Sequence, residues 1–172
     1  MKKILISTTT FSSYSEKPKK ILDSQNFDVV FNTYGRKLKD DEIKSAIIDC
    51  DGIIAGTETY DELVLSEALH LKVISRLGVG MDNIDREYAE NKNIKIFTTQ
   101  TSPSQSVAEL TLGLILDIIR KISIQNIELK SGVWNKNMGE LVYGKTLGII
   151  GLGNIGKNLV EITRGLNLQY KA

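Results

Sequence analysis

Short apolar runs alternate with amphipathic segments along the first hundred residues. Lys3–Thr8 and Phe27–Phe31 (FDVVF) have the length and the β-branched or aromatic content of strands, and Gly52–Ala55 (GIIA), Lys72–Arg76 and Ile94–Thr98 repeat the pattern. Between them, Ser15–Ser24, Asp40–Ile48, Asp61–Leu69 and Arg86–Asn91 read as helices, the second entered from Lys39 with acids in its first turn. Alternation at so short a pitch implies βαβ units, and therefore a mostly parallel sheet with helices on both faces. Residues 1–100 make a domain by themselves.

Beyond residue 100 the pattern changes. Pro103 stands where a loop enters a helix predicted from Ser104 to about Ser131. Val107, Leu110, Leu114, Ile118 and Ile122 are among the apolar residues that cover most of its circumference. A helix apolar all round is buried on several sides, so it is expected to bridge two domains or two subunits. Ser131-Gly132-Val133-Trp134 ends it, and a polar link from Asn135 to Tyr143 leads to Thr146–Gly156, TLGIIGLGNIG. There a short apolar run breaks into a glycine turn and is followed by a helix, Asn154–Gly165, and a further apolar run, Leu168–Tyr170. Residues 101–172 thus look like the incomplete start of a second domain.

Composition narrows the function. Of 172 residues, 41% are hydrophobic and 25% charged, which suits an ordinary globular core. With 22 basic against 21 acidic side chains, the net charge of +1 argues against a nucleic-acid or anionic-membrane footprint. A small anionic substrate needs only a few donors and stays compatible. Cys50 is the single cysteine, so neither an internal disulfide nor a cysteine metal site can form, as suits a reducing cytosol. MKKILISTTTF is too short in apolar residues for a signal peptide, and Val107–Ile119 is interrupted by Glu109 and Asp117. These features predict a cytoplasmic protein.

Gly151, Gly153 and Gly156 stand at G-x-G-x-x-G spacing between a strand and a helix. Such glycines allow a tight turn, the approach of a pyrophosphate and close packing of helix on strand, while free amides of the new helix face the anion. Arg76-Leu77-Gly78-Val79-Gly80-Met81-Asp82-Asn83-Ile84-Asp85 follows the fourth strand at its carboxyl end, where ligands of open α/β sheets bind. Its glycines either turn backbone amides toward a carboxylate or merely make a tight turn, with Asp85 capping the next helix. Gly56-Thr57, at the matching end of the third strand, could face the same crevice or be a simple connection. His70, the only histidine, precedes the fourth strand and so lies at the wrong end of the sheet for catalysis. Glu58, Glu62 and Glu67, with Arg36, Lys37 and Lys39, read as solvated faces. No metal-ligand spacing and no nucleophile constellation is present.

Taken in order, RLGVGMDNID, QSVAELTLGLIL and GKTLGIIGLGNIG resemble the NAD-dependent D-2-hydroxyacid dehydrogenases, and NTYGRKLKDDEI and DGIIAGTETYDELVL are similar to the phosphoglycerate dehydrogenase-like members. The resemblance implies an α/β chain. A flavodoxin-like parallel-sheet substrate domain at 1–100 would be followed by a long helix and the start of a Rossmann NAD-binding domain at 101–172. It further implies hydride exchange between NAD(H) and C2 of a small 2-hydroxy or 2-keto acid. By motif, Thr57 and the Gly78-Val79-Gly80 backbone would receive the substrate. Val79 would also lie near the nicotinamide, and Gly151, Gly153, Asn154, Ile155 and Gly156 would cradle the pyrophosphate. The long helix would build a homodimer.

Three departures are visible. Gly56-Thr57 stands where members acting on phosphorylated substrates often carry Arg-Ser. Thr101-Ser102-Pro103-Ser104 replaces the usual Thr-Pro-Gly. The ribose-binding acid and the catalytic arginine, glutamate and histidine are expected past Ala172, so the chain reads as an amino-terminal portion, inactive alone, with Leu147, Ile149, Ile150, Ile155 and Leu159 poorly covered. A non-catalytic oligomerisation module and a small-acid-binding module are the alternatives.

Overall fold

A computed structural model describes residues 1–172. They divide into two compact units, Met1–Thr101 and Ser102–Ala172.

In the first unit, strands β1 (Lys3–Ile6), β2 (Asp28–Phe31), β3 (Gly52–Ala55), β4 (Val73–Arg76) and β5 (Lys95–Thr98) form one sheet in the order β2-β1-β3-β4-β5, every pair parallel. This is the flavodoxin-like order, and its direction reverses between β1 and β3. Leu5 pairs with Ile53, Ile53 with Ile74, and Ile74 with Ile96. The branched side chains of the central strands pack against Ile43 and Ile47 of α2 (Asp40–Ile47) and Val64 and Leu65 of α3 (Glu62–Leu65), all fully buried. Helices α1 (Lys17–Asp23) and α4 (Arg86–Asn91) complete the unit.

Caps explain where several helices begin. Asp61 Oδ1 accepts the Val64 amide at 2.9 Å, and Asp85 Oδ1 accepts the Tyr88 amide at 2.9 Å. At α2, Glu42 Oε2 takes the Lys39 amide at 2.8 Å while Arg36 grips the same carboxylate with both nitrogens, at 2.8 and 2.7 Å. The expected Asp61–Leu69 helix is one turn only. Its continuation folds as turns, with Ala68 and Leu71 tucked into the core.

The second unit holds α5 (Ser104–Arg120), α6 (Ile122–Lys130), β6 (Thr146–Gly148), α7 (Asn154–Thr163) and β7 (Gln169–Lys171). The helix predicted to run from Ser104 to Ser131 breaks at Lys121, which is left-handed with φ of 57°. Asp117 holds the break: its Oδ1 accepts the Ser123 amide at 2.7 Å, and its two oxygens accept the Ser123 hydroxyl at 2.9 and 2.8 Å. The apolar circumference is not buried on several sides within this chain. Ala108 alone is buried on α5, none on α6, and Ile118 is 75% exposed.

Helix α7 packs on α5, with Leu159 covered and Asn158 Nδ2 donating to Ser104 Oγ at 3.1 Å. Leu159 thus corrects the expectation of poor cover, because the start of α5 supplies the missing face. Ile150 and Ile155 do stay exposed, and β6 pairs only with β7, Leu147 opposite Tyr170.

Candidate functional site

In the first unit the carboxyl ends of β1, β3 and β4 enclose a cavity of about 290 Å³. Thr8, Thr9 and Thr10 follow β1, Gly56, Thr57 and Glu58 follow β3, and Arg76 and Leu77 close β4, with Lys37 added from the loop before α2. Because β1 and β3 flank the reversal of strand order, their connections diverge to opposite faces and leave a crevice between them. Larger hollows exist, including one of about 490 Å³ beside Phe31 and α2, but that one lies at the edge strand, away from the reversal.

The β4 tip departs in one detail from a row of free amides. Gly78 has φ of +145°, where a side chain would strain the backbone, and an added Cβ would meet Arg76 Nη1 at 2.6 Å. Its N–H is already committed, to Thr99 Oγ1 at 3.0 Å and to the Arg76 carbonyl at 3.0 Å. The amides of Val79 and Gly80 make no hydrogen bond within the chain. They are the ones a carboxylate could take. Arg76 Nη1 donates to the Leu77 carbonyl, while its Nε is buried without a partner. His70 is exposed at the amino end of β4, away from this cavity.

Glu58 corrects the sequence reading outright. Placed on a solvated face by its charge, it is 2% exposed. The segment after β3 bends at Thr57 and Glu58, yet its burial alternates, Thr57 and Thr59 exposed, Glu58 and Tyr60 buried, and Tyr60 forms a parallel bridge with Ile84. The signal was available as a period-two pattern with Tyr60 in the same phase as Glu58. Ser7 and Tyr60, also fully buried, were missed with it. Ser7 Oγ donates to Glu58 Oε2 at 2.8 Å, and burial pushes the Tyr60 phenol far above its usual range, so its hydroxyl stays a donor.

In the second unit Gly153 is the N-cap of α7, with extended backbone and no side chain on the helix end. The first turn carries no acid, and the amides of Asn154, Ile155 and Gly156 are unpaired within the chain. Nothing lies within 4 Å of a Cβ built on Gly151 or Gly153, so the approach is open. At Gly156 such an atom would fall 2.9 Å from the Gly151 carbonyl and 3.2 Å from Ile149 Cγ2, so only glycine lets helix and strand come this close. An anion could settle on these amides with the helix dipole behind them. The structure thus gathers Gly151, Gly153, Asn154, Ile155 and Gly156 in one unit; in the other, Thr57 lines the cavity with Arg76 and Leu77, while Gly78, Val79 and Gly80 follow Leu77 outside its lining.

Residues 4–166 match the family described as D-isomer specific 2-hydroxyacid dehydrogenase, catalytic domain. The chain is 39% identical over 127 residues to the hydroxypyruvate reductase of Thermotoga maritima, covering 72% of this chain and 42% of that protein. It is 42% identical over 137 residues to the D-3-phosphoglycerate dehydrogenase of Methanocaldococcus jannaschii, covering 76% and 26%. Among solved structures, NAD+-bound 3-phosphoglycerate dehydrogenase of Entamoeba histolytica superposes with a TM-score of 0.74 at 29% identity, covering 99% of this chain and 53% of that one. The Thermus thermophilus TT0316 protein, at 22% identity and a TM-score of 0.83, shares the fold. The chain spans less than half the length of the curated relatives named here. No helix is long and apolar enough to cross a membrane.

Proposed function

The chain belongs to the D-isomer specific 2-hydroxyacid dehydrogenase family, and from that premise we propose that it serves an NAD-dependent oxidoreductase acting on a small D-2-hydroxy or 2-keto acid, phosphoglycerate dehydrogenase-like in kind. Met1–Thr101 is then the substrate domain and Ser102–Ala172 the start of the coenzyme domain. The observation that carries the reading is the helix end at Gly153, bare of acids and of side-chain caps, with a glycine at 156 where a Cβ would fall 2.9 Å from the Gly151 carbonyl.

The residues present fit a dinucleotide. Gly151 and Gly153 leave room for its pyrophosphate, and Asn154, Ile155 and Gly156 offer amides to it. When bound, the nicotinamide supplies or accepts the hydride at C2. The chain's own residues position the acid. Val79 and Gly80 donate their amides to its carboxylate, Gly78 makes the turn that aims them, and Thr57 contributes from the β3 tip. Val79, 46% exposed, also offers an apolar surface to the nicotinamide.

Two further assignments accompany this reading. Exposed Leu110, Leu114, Ile118, Ile122 and Ile127 support a homodimer through α5 and α6. The single buried thiol of Cys50 supports a cytoplasmic setting.

The test is a titration of the ¹⁵N-labelled chain. NAD+ is expected to move the amides of Gly151, Gly153, Asn154, Ile155 and Gly156. Gly153→Asp, which puts a carboxylate over the same helix end without crowding it, is expected to abolish those shifts. Shifts that persist unchanged in the variant would defeat the assignment. No acid–base pair stands at the acid-binding tip, so these 172 residues alone are expected to consume no NADH with hydroxypyruvate or glyoxylate.

A further inference from the structure

At the reversal of strand order the fold buries a carboxyl group that neither the acid tip nor the nucleotide turn uses. Glu58 Oε2 accepts from the Ser7 hydroxyl at 2.8 Å and from the Tyr60 hydroxyl at 3.3 Å, and the two hydroxyls are 2.8 Å apart. Ser7 Oγ also accepts the Gly56 amide at 3.0 Å. With the Tyr60 phenol protonated, its single proton is shared between Ser7 Oγ and Glu58 Oε2, while Ser7 donates to Glu58. One oxygen of the carboxyl group is thereby fully engaged.

The other is not. Glu58 Oε1 makes no hydrogen bond in the chain, yet it is not among the sealed polar atoms without a partner, and Glu58 forms part of the cavity wall. A carboxyl group pinned by one oxygen and open to a cavity at the other is an acceptor that lacks its donor. The main chain around it is held, and the side chain lies close against residue 56. Asn83 Nδ2 donates to the carbonyls of Gly56 at 3.3 Å and Glu58 at 2.6 Å, and even a methyl group at residue 56 would lie 2.8 Å from Oε2.

Resting on the reading that the acid's carboxylate lies at Val79 and Gly80, we propose that this cavity receives the C3 substituent of the acid. Glu58 selects a substituent that donates a hydrogen bond, a hydroxyl or an ammonium, and rejects a phosphoryl group. A hydroxyl gives Oε1 its missing proton. A phosphoryl oxygen, itself an acceptor, brings Oε1 no proton and leaves it unpaired. Sites built to bond a hydroxyl discriminate far more sharply than apolar ones. Lys37 and Arg76 on the same wall favour any anion, so the discrimination depends on Glu58 and should vanish with it.

The experiment titrates the ¹⁵N-labelled chain with D-glycerate, D-lactate and D-3-phosphoglycerate, reading the amides of Gly56, Thr57, Gly78, Val79 and Gly80. D-Glycerate is expected to bind about tenfold or more tightly than either of the others and to move both groups of amides. Glu58→Gln, and Glu58→Ala as a second variant, are expected to bring D-3-phosphoglycerate within about threefold of D-glycerate, their unperturbed spectra away from the site showing that they fold. If D-3-phosphoglycerate binds the unmodified chain as tightly as D-glycerate, with shifts at Val79 and Gly80, the role of Glu58 is overturned while the acid site stands. A gap that survives both variants overturns it equally. If no acid moves Val79 and Gly80, the acid site itself falls, and this proposal with it.

Discussion

Met1–Thr101 and Ser102–Ala172 each place a glycine turn at a strand tip, but they cover their apolar side chains differently. In the first unit, Leu5, Ile43, Ile47, Ile53, Val64 and Ile74 are all essentially shut from water on one side of the sheet, while Ser75 and Phe97 on its other side are exposed. In the second, Ala108 and Leu159 are the buried apolar residues, while Ile150, Leu152 and Ile155 in and beside the glycine turn stay exposed. A buried core stabilises the loops built on it, so the β4 tip of the first unit rests on the packed side chains of the central strands. The turn of the second unit is held chiefly by α5 beneath α7 and by one neighbouring strand. Local stability therefore differs between the units, and their two glycine turns stand on foundations of unequal strength.

The sharpest way to break the comparison is in the core. Ile74→Ala, at a fully buried position, is expected to cost about 2–5 kcal/mol, whereas Ile150→Ala, at a fully exposed position of the second unit, should stay within about 0.5 kcal/mol. Unfolding in urea followed by amide signals from each unit separately distinguishes them, since one transition need not describe both. Next, Gly156→Ala should destabilise the second unit by about 1–3 kcal/mol through its clash with the Gly151 carbonyl, leaving the first unit's signals unmoved. Gly153→Ala, with open space ahead of it, serves as the control.

Smaller still, Asp85→Ala removes the cap that holds the Tyr88 amide and should cost about 1 kcal/mol, seen as faster exchange in the first turn of α4. The weakest effect is one of pH. Hydrogen bonds from Arg36, and then from the Lys39 amide, hold the Glu42 carboxyl down at about 2 against an ordinary 4.5. A folded value below the unfolded one means the contribution is complete above pH 4.5 and fades as the pH falls toward 2. Glu42→Gln should flatten the acid limb of the stability curve in that window. High salt should shrink the difference, because Arg36 is exposed.

Much of the fold was legible because the strands are short, β-branched and bounded by turns, and their register follows from burying one continuous apolar layer. Gly156 was legible too, since a spacing of glycines between strand and helix has a steric cause visible in the letters. Lys121 was not. Helical periodicity runs straight through it, and the break depends on Asp117 reaching Ser123 across the bend, a contact that exists only once the chain has turned. Glu58 was misread for a different reason. Its charge argues for solvent, the alternation that carries Tyr60 inward argues against it, and only folding brings Ser7 from β1 beside it. The free amides were half legible: sequence placed the glycines at the β4 tip, but Thr99, twenty-one residues on, claims the first of them.

The unequal footing of the two units is tested most directly by native-state hydrogen exchange, resolved by residue, on the chain free of ligand. The account predicts that amides of Leu5, Ile53 and Ile74 are the slowest to exchange and that those of Leu147 and Tyr170 exchange faster by orders of magnitude. Equal protection across both units, or slower exchange in β6 and β7 than in the five-stranded sheet, would contradict it.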